Sequence, residues 1–203
     1  LHRALLGAWK FLGEPNPAVF GWAPLWFGNQ NSRQEENRTY GTSRVMMSMA
    51  DLRECYQRNP EALGIALVER LERTVTGAFC WAKWWQGLAY LVLSRTVDGG
   101  WECGEGPDER RYLAGENVAS SVEETALALE AVVRCFHLLN EDPLCEITAS
   151  GQVGAQALTV ASTLPPVLAE RLSTGTDWLL RRVEDGTWTQ SAPIGFYFAK
   201  LWY

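Results

Sequence analysis

Two stretches of this chain follow one pattern, 87 residues apart. The first runs Gly87-Leu-Ala-Tyr90-Leu91, then Arg95-Thr-Val-Asp98-Gly99-Gly100-Trp101. The second runs Gly175-Thr-Asp-Trp178-Leu179, then Arg182-Val-Glu-Asp185-Gly186-Thr187-Trp188. Each reads as a helix with an aromatic-Leu pair, a tight Asp-Gly turn and a Trp. Asp and Gly permit the turn, with Gly taking positive φ. The Trp is then expected to fold back and plug the seam between neighbouring helix pairs, so Trp101, Trp188, Asp98 and Asp185 are read as structural. Two units of about forty residues between the copies is the period of stacked helical hairpins. A worn third copy is placed at Trp9 to Trp22.

Hydrophobic periodicity agrees with a helical chain. From Ser121, the apolar residues Val122, Ala126, Leu129, Val133 and Phe136 step 4, 3, 4, 3 along one face. Ser121 and Glu124 form a capping box. Val45, Met49, Leu52 and Tyr56 repeat the stepping after a turn assigned to Tyr40-Gly41-Thr42. Further helices are expected at Leu63-Leu67-Leu71, from Trp84 to Ser94, and from Pro165 to Leu172, with Pro in a first turn. No convincing alternating strand appears, and the class is all-α.

Composition narrows the function classes. With 203 residues, 47% apolar, the chain can bury a substantial core. Its longest apolar run, Leu88 to Leu93, is far short of the roughly 18–20 residues a bilayer core requires. A net charge of −6 without a basic block argues against a nucleic-acid partner. The five cysteines, Cys55, Cys80, Cys103, Cys135 and Cys145, lie far apart and read as reduced thiols in a cytoplasmic protein. Ten Trp is several-fold above ordinary usage, pointing to gap-filling between helices or to a site lined with π-faces. The chain opens without Met or signal peptide and closes on an aromatic run, so both ends read as cut.

At these motifs the sequence resembles the squalene–hopene cyclase and oxidosqualene cyclase family of triterpene cyclases. Gln86-Gly87 to Trp101 is similar to the family's Gln-Trp (QW) repeat. Gly21-Trp22-Ala-Pro-Leu-Trp26-Phe-Gly28, followed by Asn37-Arg-Thr-Tyr40-Gly41-Thr42, resembles its Trp-x3-Trp and Tyr-Gly-Thr segment. Ser121 to Leu129 resembles a Ser/Thr-rich helix start, and Pro193 to Tyr203 the aromatic segment near the family's C-terminus. The resemblance covers nearly the whole chain in the family's order. It implies that residues 1–203 are the C-terminal part of an α/α barrel (toroid) of helical hairpin repeats.

The implied function is intramolecular cyclisation of a linear, squalene-like triterpene, with no cofactor and no metal. The family starts the reaction with an Asp of an Asp-x-Asp-Asp motif, which this sequence does not contain, so the chain alone is expected to be inactive. Its implied contribution is cation stabilisation, because water would quench a migrating carbocation where π-faces do not. Trp26, Tyr40, Phe196 and Tyr203 match the family's cavity aromatics. Family precedent also implies peripheral, monotopic attachment to the cytoplasmic face of a membrane, and leaves a homodimer open. The departures are Arg95 and Arg182 (or Val183) in place of the repeat's Gln, an insertion from Asn29 to Glu36, and Ala192 where bacterial cyclases carry Phe. Arg is planar and can still stack on Trp.

Other features take plainer readings. His137 is assigned to the core or its edge, Trp81, Trp84 and Trp85 to helix packing rather than membrane anchoring, and Glu105 to Arg111 to a solvated loop. Asn37-Arg-Thr39 is a glycosylation sequon by chance. Two alternatives remain: a protein prenyltransferase β-subunit-like barrel needing Zn²⁺, for which two His and Trp101-Glu102-Cys103 offer little, and a non-catalytic isoprenoid-binding barrel.

Overall fold

A computed structural model describes residues 21–24, 37–58, 78–102, 120–141 and 155–189. These form four helices, α1 (Arg38–Arg58), α2 (Ala78–Leu93), α3 (Val122–Glu141) and α4 (Ala155–Glu184), and a short 3-10 turn, Thr187–Thr189. Among the described residues there is no strand; two isolated bridges, Arg95 to Trp101 and Trp101 to Ser121, are the extended pairing present. The class is all-α. The expected helix at Leu63, Leu67 and Leu71 lies outside the described residues.

The core lies where α1, α2, α3 and α4 meet, around Met46, Leu88, Leu91, Trp101, Val132 and Leu168. The most extensive interface is α1 on α3, followed by α3 on α4 and α1 on α2. Arg134 of α3 reaches Asp51 at 2.9 Å and Glu54 at 3.1 Å on α1. These half-exposed pairs add register more than stability, since surface ion pairs contribute about 0–1 kcal/mol.

The helices form where periodicity places them, but with different bounds and faces. Tyr40-Gly41-Thr42 is not a turn: α1 begins at Arg38 and takes these residues into its first two turns. Asn37 is the cap, its Oδ1 accepting the Tyr40 N–H at 2.8 Å. Gly41 serves close approach, because a Cβ there would stand 2.2 Å from the Trp22 carbonyl oxygen. The buried face of α1 is Thr39, Thr42, Ser43, Met46, Met47 and Ala50, while Val45 and Met49 are only half-buried. Hydroxyl residues make up the N-terminal part of that face, and an apolar count passes over them.

The same rotation occurs on α3. Of the expected stripe, Leu129 is buried, Val122 is half-buried, and Ala126 and Val133 are exposed. The buried face instead carries Glu124, Thr125, Ala128, Ala131, Val132 and Cys135. Ser121 accepts the Glu124 N–H at 3.1 Å, so half the capping box forms. The Ser121 N–H goes to the Trp101 carbonyl at 2.9 Å, and the Glu124 carboxyl goes to Asn37.

At α2, helix extends back from Trp84 to Ala78. At α4, Pro165 and Pro166 sit in the interior of a 30-residue helix, not in its first turn. They withhold two backbone donors without ending the helix. His137 is exposed, at the edge of the bundle.

Candidate functional site

The chemistry-bearing residues cluster at helix starts and at the turn after α2. That turn is built locally. Gly99, at φ 105°, donates its N–H to the Thr96 carbonyl at 3.2 Å. Thr96 in turn donates its N–H to the Gly100 carbonyl at 2.9 Å. Asp98 is the node of the turn. It accepts from the Ser120 hydroxyl at 2.5 Å, from the Trp178 Nε1–H at 2.9 Å, from the Gly100 N–H at 3.3 Å and from the Thr96 hydroxyl. Partial burial pushes its carboxyl up, yet the donors from Ser120, Thr96, Trp178 and Gly100 outweigh this and hold it below the usual carboxylate value.

Beyond the turn, Trp101 is fully buried. Its Nε1–H donates to the Leu91 carbonyl at 2.6 Å and its backbone N–H to the Thr125 hydroxyl at 2.9 Å. The ring lies against Gly175, where a Cβ would come within 2.7 Å of Trp101 Cζ3. Trp22 is seated in the same way. Its N–H donates to the Thr42 hydroxyl at 2.9 Å, and a Cβ on Gly87 would come within 2.6 Å of its Cζ3. The glycine before each Trp is hemmed in by the same hydroxyl. A Cβ on Gly21 would meet Thr42 Oγ1 at 2.9 Å, and one on Gly100 would meet Thr125 Oγ1 at 2.8 Å.

Trp188 does not share this seat. It is 55% exposed, which corrects the expectation that it plugs a helix seam. Asp185 is exposed too, and its carboxyl is held low by the hydroxyl and N–H of Thr187. Arg182 lies 4.8 Å from the Trp178 ring centroid. Arg95 instead donates to Thr174 Oγ1 at 2.9 Å and pairs with Glu170 at 3.5 Å.

Of the four residues matched to cavity aromatics, Trp26, Phe196 and Tyr203 lie outside the described residues. Tyr40 is half-buried in the first turn of α1. Sequence reasoning missed the link beside it. Asn37 and Glu124 are both fully buried, and Asn37 Nδ2 donates to Glu124 Oε1 at 2.7 Å, joining the starts of α1 and α3. The capping box singled out Glu124 for a backbone role, and the sequon drew the eye to Asn37. Nothing in the spacing pairs residues 87 apart. Asn37 thus has both ends of its side-chain amide engaged, Nδ2 by Glu124 and Oδ1 by the Tyr40 N–H.

Among the described residues, no group of three or more His, Cys, Asp or Glu could hold a metal ion, and no helix is long and apolar enough to cross a membrane. Burial pushes the Cys135 thiol up to about 12, so it is an unreactive packing group. Comparison of the chain with protein-family models, with curated proteins and with solved structures finds no match in any of the three.

Proposed function

We propose that this chain is part of a class II terpene cyclase, an α/α barrel of helical hairpin repeats that cyclises a linear, squalene-like triterpene through protonation-initiated carbocations. The observation that carries the reading is the seat built twice: Trp22 on Thr42 and Gly87, and Trp101 on Thr125 and Gly175. A helical hairpin repeat with Gln-Trp-type turns requires such recurrence, and the motifs around it are those that resemble triterpene cyclases.

On this reading Tyr40, with Trp26, Phe196 and Tyr203, lines a dry cavity. The aromatic faces lower the energy of cations that no water solvates. Each desolvated contact is worth about 2 kcal/mol. Two or three of them, expressed in the transition state, accelerate a step on the order of 10³-fold or more. The acid that starts the reaction is an Asp-x-Asp-Asp contributed from outside this chain. Neither metal nor organic cofactor enters the step, and the substrate arrives from a membrane to which the protein attaches peripherally.

The test is to express the complete reading frame, incubate it with squalene and analyse the lipid extract by gas chromatography and mass spectrometry. Cyclic triterpenes are expected. No cyclic product, together with no Asp-x-Asp-Asp in the frame, sinks the cyclase reading. Stoichiometric zinc in the purified protein would turn it toward a prenyltransferase-like barrel.

A further inference from the structure

We infer that Glu124 is a positioning residue for Tyr40, acting through Asn37 across the α1–α3 interface; the inference rests on the cavity role proposed above for Tyr40. Three groups form a chain. Glu124 Oε1 accepts from Asn37 Nδ2 at 2.7 Å, and Asn37 Oδ1 accepts from the Tyr40 N–H at 2.8 Å.

An amide has one oxygen side and one NH₂ side, so an acceptor on one side decides which way the other faces. The carboxyl oxygen draws the NH₂ toward α3 and leaves Oδ1 aimed at Tyr40. Asn37 and Glu124 are fully buried, so water does not compete for either bond. The Tyr40 backbone is thereby tied to α3 and not merely to its own helix cap. An ordinary cap needs only the second bond, which Ser supplies as well as Asn. The first bond is superfluous for capping; what it adds is the azimuth and depth of the first turn of α1, where Tyr40 sits.

Three variants separate positioning from capping. Asn37→Ser keeps a good cap but is too short to reach Glu124. Glu124→Met keeps the size of the side chain and removes the acceptor, and Glu124→Gln restores an acceptor of the same shape. The readout is the ¹⁹F resonance of 3-fluorotyrosine at position 40 in the 203-residue chain, with squalene turnover in the complete protein alongside. Asn37→Ser and Glu124→Met are expected to move the Tyr40 signal, and Glu124→Gln to return it to the wild-type position. Turnover should follow, with kcat lower by about tenfold in Asn37→Ser and KM within about twofold, since a stabilising face is displaced while apolar binding surface remains.

A Tyr40 signal unmoved in Asn37→Ser, with only the melting temperature lower, overturns the inference. If the complete wild-type protein yields no cyclic product, the cyclase reading fails, while the fluorine signal still decides whether Glu124 places Tyr40.

Discussion

The turns after α2 and α4 share a sequence pattern and the bonds around their glycine, yet Trp101 leaves its turn extended and bridged to Arg95 and Ser121, and Trp188 leaves in a 3-10 turn. Both use a positive-φ glycine, at 105° for Gly99 and 74° for Gly186. Both close with the glycine N–H on the carbonyl three residues back, at 3.2 Å to Thr96 and 3.3 Å to Val183. In both the Asp accepts the N–H two residues on, at 3.3 Å for Asp98 and 2.9 Å for Asp185. Yet Trp101 is 0% exposed and Trp188 55%.

The difference lies in what gathers around each turn. Ser120, Thr125, Thr174, Gly175 and Trp178 converge on the first from α4 and from the start of α3. Among the described residues, the side-chain partners of the second come from its own turn and the end of α4: Thr187 on Asp185, and Arg182 on Thr187. The motif specifies a turn that offers a Trp. Burial also needs a receiving pair, a hydroxyl for the Trp backbone N–H and a glycine under its ring.

The comparison is broken most directly at the two tryptophans. Trp101→Ala should cost about 3–5 kcal/mol, the usual range for emptying a packed aromatic site. Trp188→Ala should stay within about 0.5 kcal/mol, as for an exposed position. Urea unfolding of both variants decides, and equal losses would mean that Trp188 is packed.

Glycine substitutions sharpen the point. Gly175→Ala places a methyl 2.7 Å from Trp101 Cζ3 and 2.9 Å from Leu129 Cδ2, so overpacking of about 1–3 kcal/mol is expected, with Trp101 emission shifted. At Gly186 a Cβ meets nothing within 4 Å, and only the positive φ resists it. Gly186→Ala should therefore cost about 1 kcal/mol. A Gly175→Ala variant as stable as wild type would show the ring is not seated on that glycine.

The aspartates differ in pH dependence. The folded-state value of Asp98 is depressed, so its contribution is fully present above the unfolded carboxylate value of about 4 and is lost as pH falls through the lower folded value. Asp98→Asn should flatten stability against pH below about 4, at a cost at neutral pH of about 0.5–1 kcal/mol, because solvent screens this partly exposed carboxylate. Asp185 shifts in the same direction but is fully solvated, and its Asn variant should track wild type more closely. Thermal melts between pH 2 and 7 would show it; identical acid profiles for wild type and Asp98→Asn refute the node.

A small effect is expected at Arg182, whose contact with the Trp178 ring is half-exposed. Arg182→Ala should cost about 0.5–1 kcal/mol. A double-mutant cycle with Trp178→Phe should recover most of it as coupling, and zero coupling would leave the stacking without energetic content.

Much of the fold was legible from local pattern. The Asp-Gly turns and their positive-φ glycines follow from short-range rules, and so does part of each described helix, but not the first turn of α1 or the stretch of α4 before Pro165. Helix faces were less legible. On α1 and α3 the buried surface is rich in Thr, Ser, Ala and one Glu, which periodicity counts as polar or neutral. Several of these buried polar groups find a partner distant in sequence, Thr125 for Trp101, Thr42 for Trp22 and Asn37 for Glu124, whereas the Thr39 and Ser43 hydroxyls are buried without one among the described residues. The Tyr40-Gly41-Thr42 segment read as a turn because Gly usually marks one, whereas here Gly41 admits the Trp22 carbonyl.

By itself the sequence determined what forms over a few residues: helical propensity, caps, and two Asp-Gly turns with a positive-φ glycine. Those depend on φ, ψ and hydrogen bonds within about five positions, which the chain carries wherever it is placed. Tertiary structure alone decided which Trp is buried, which helix face turns inward and which carboxyl meets Asn37. These choices pair atoms some 20 to 90 residues apart, and their energies depend on neighbours that only the folded chain assembles.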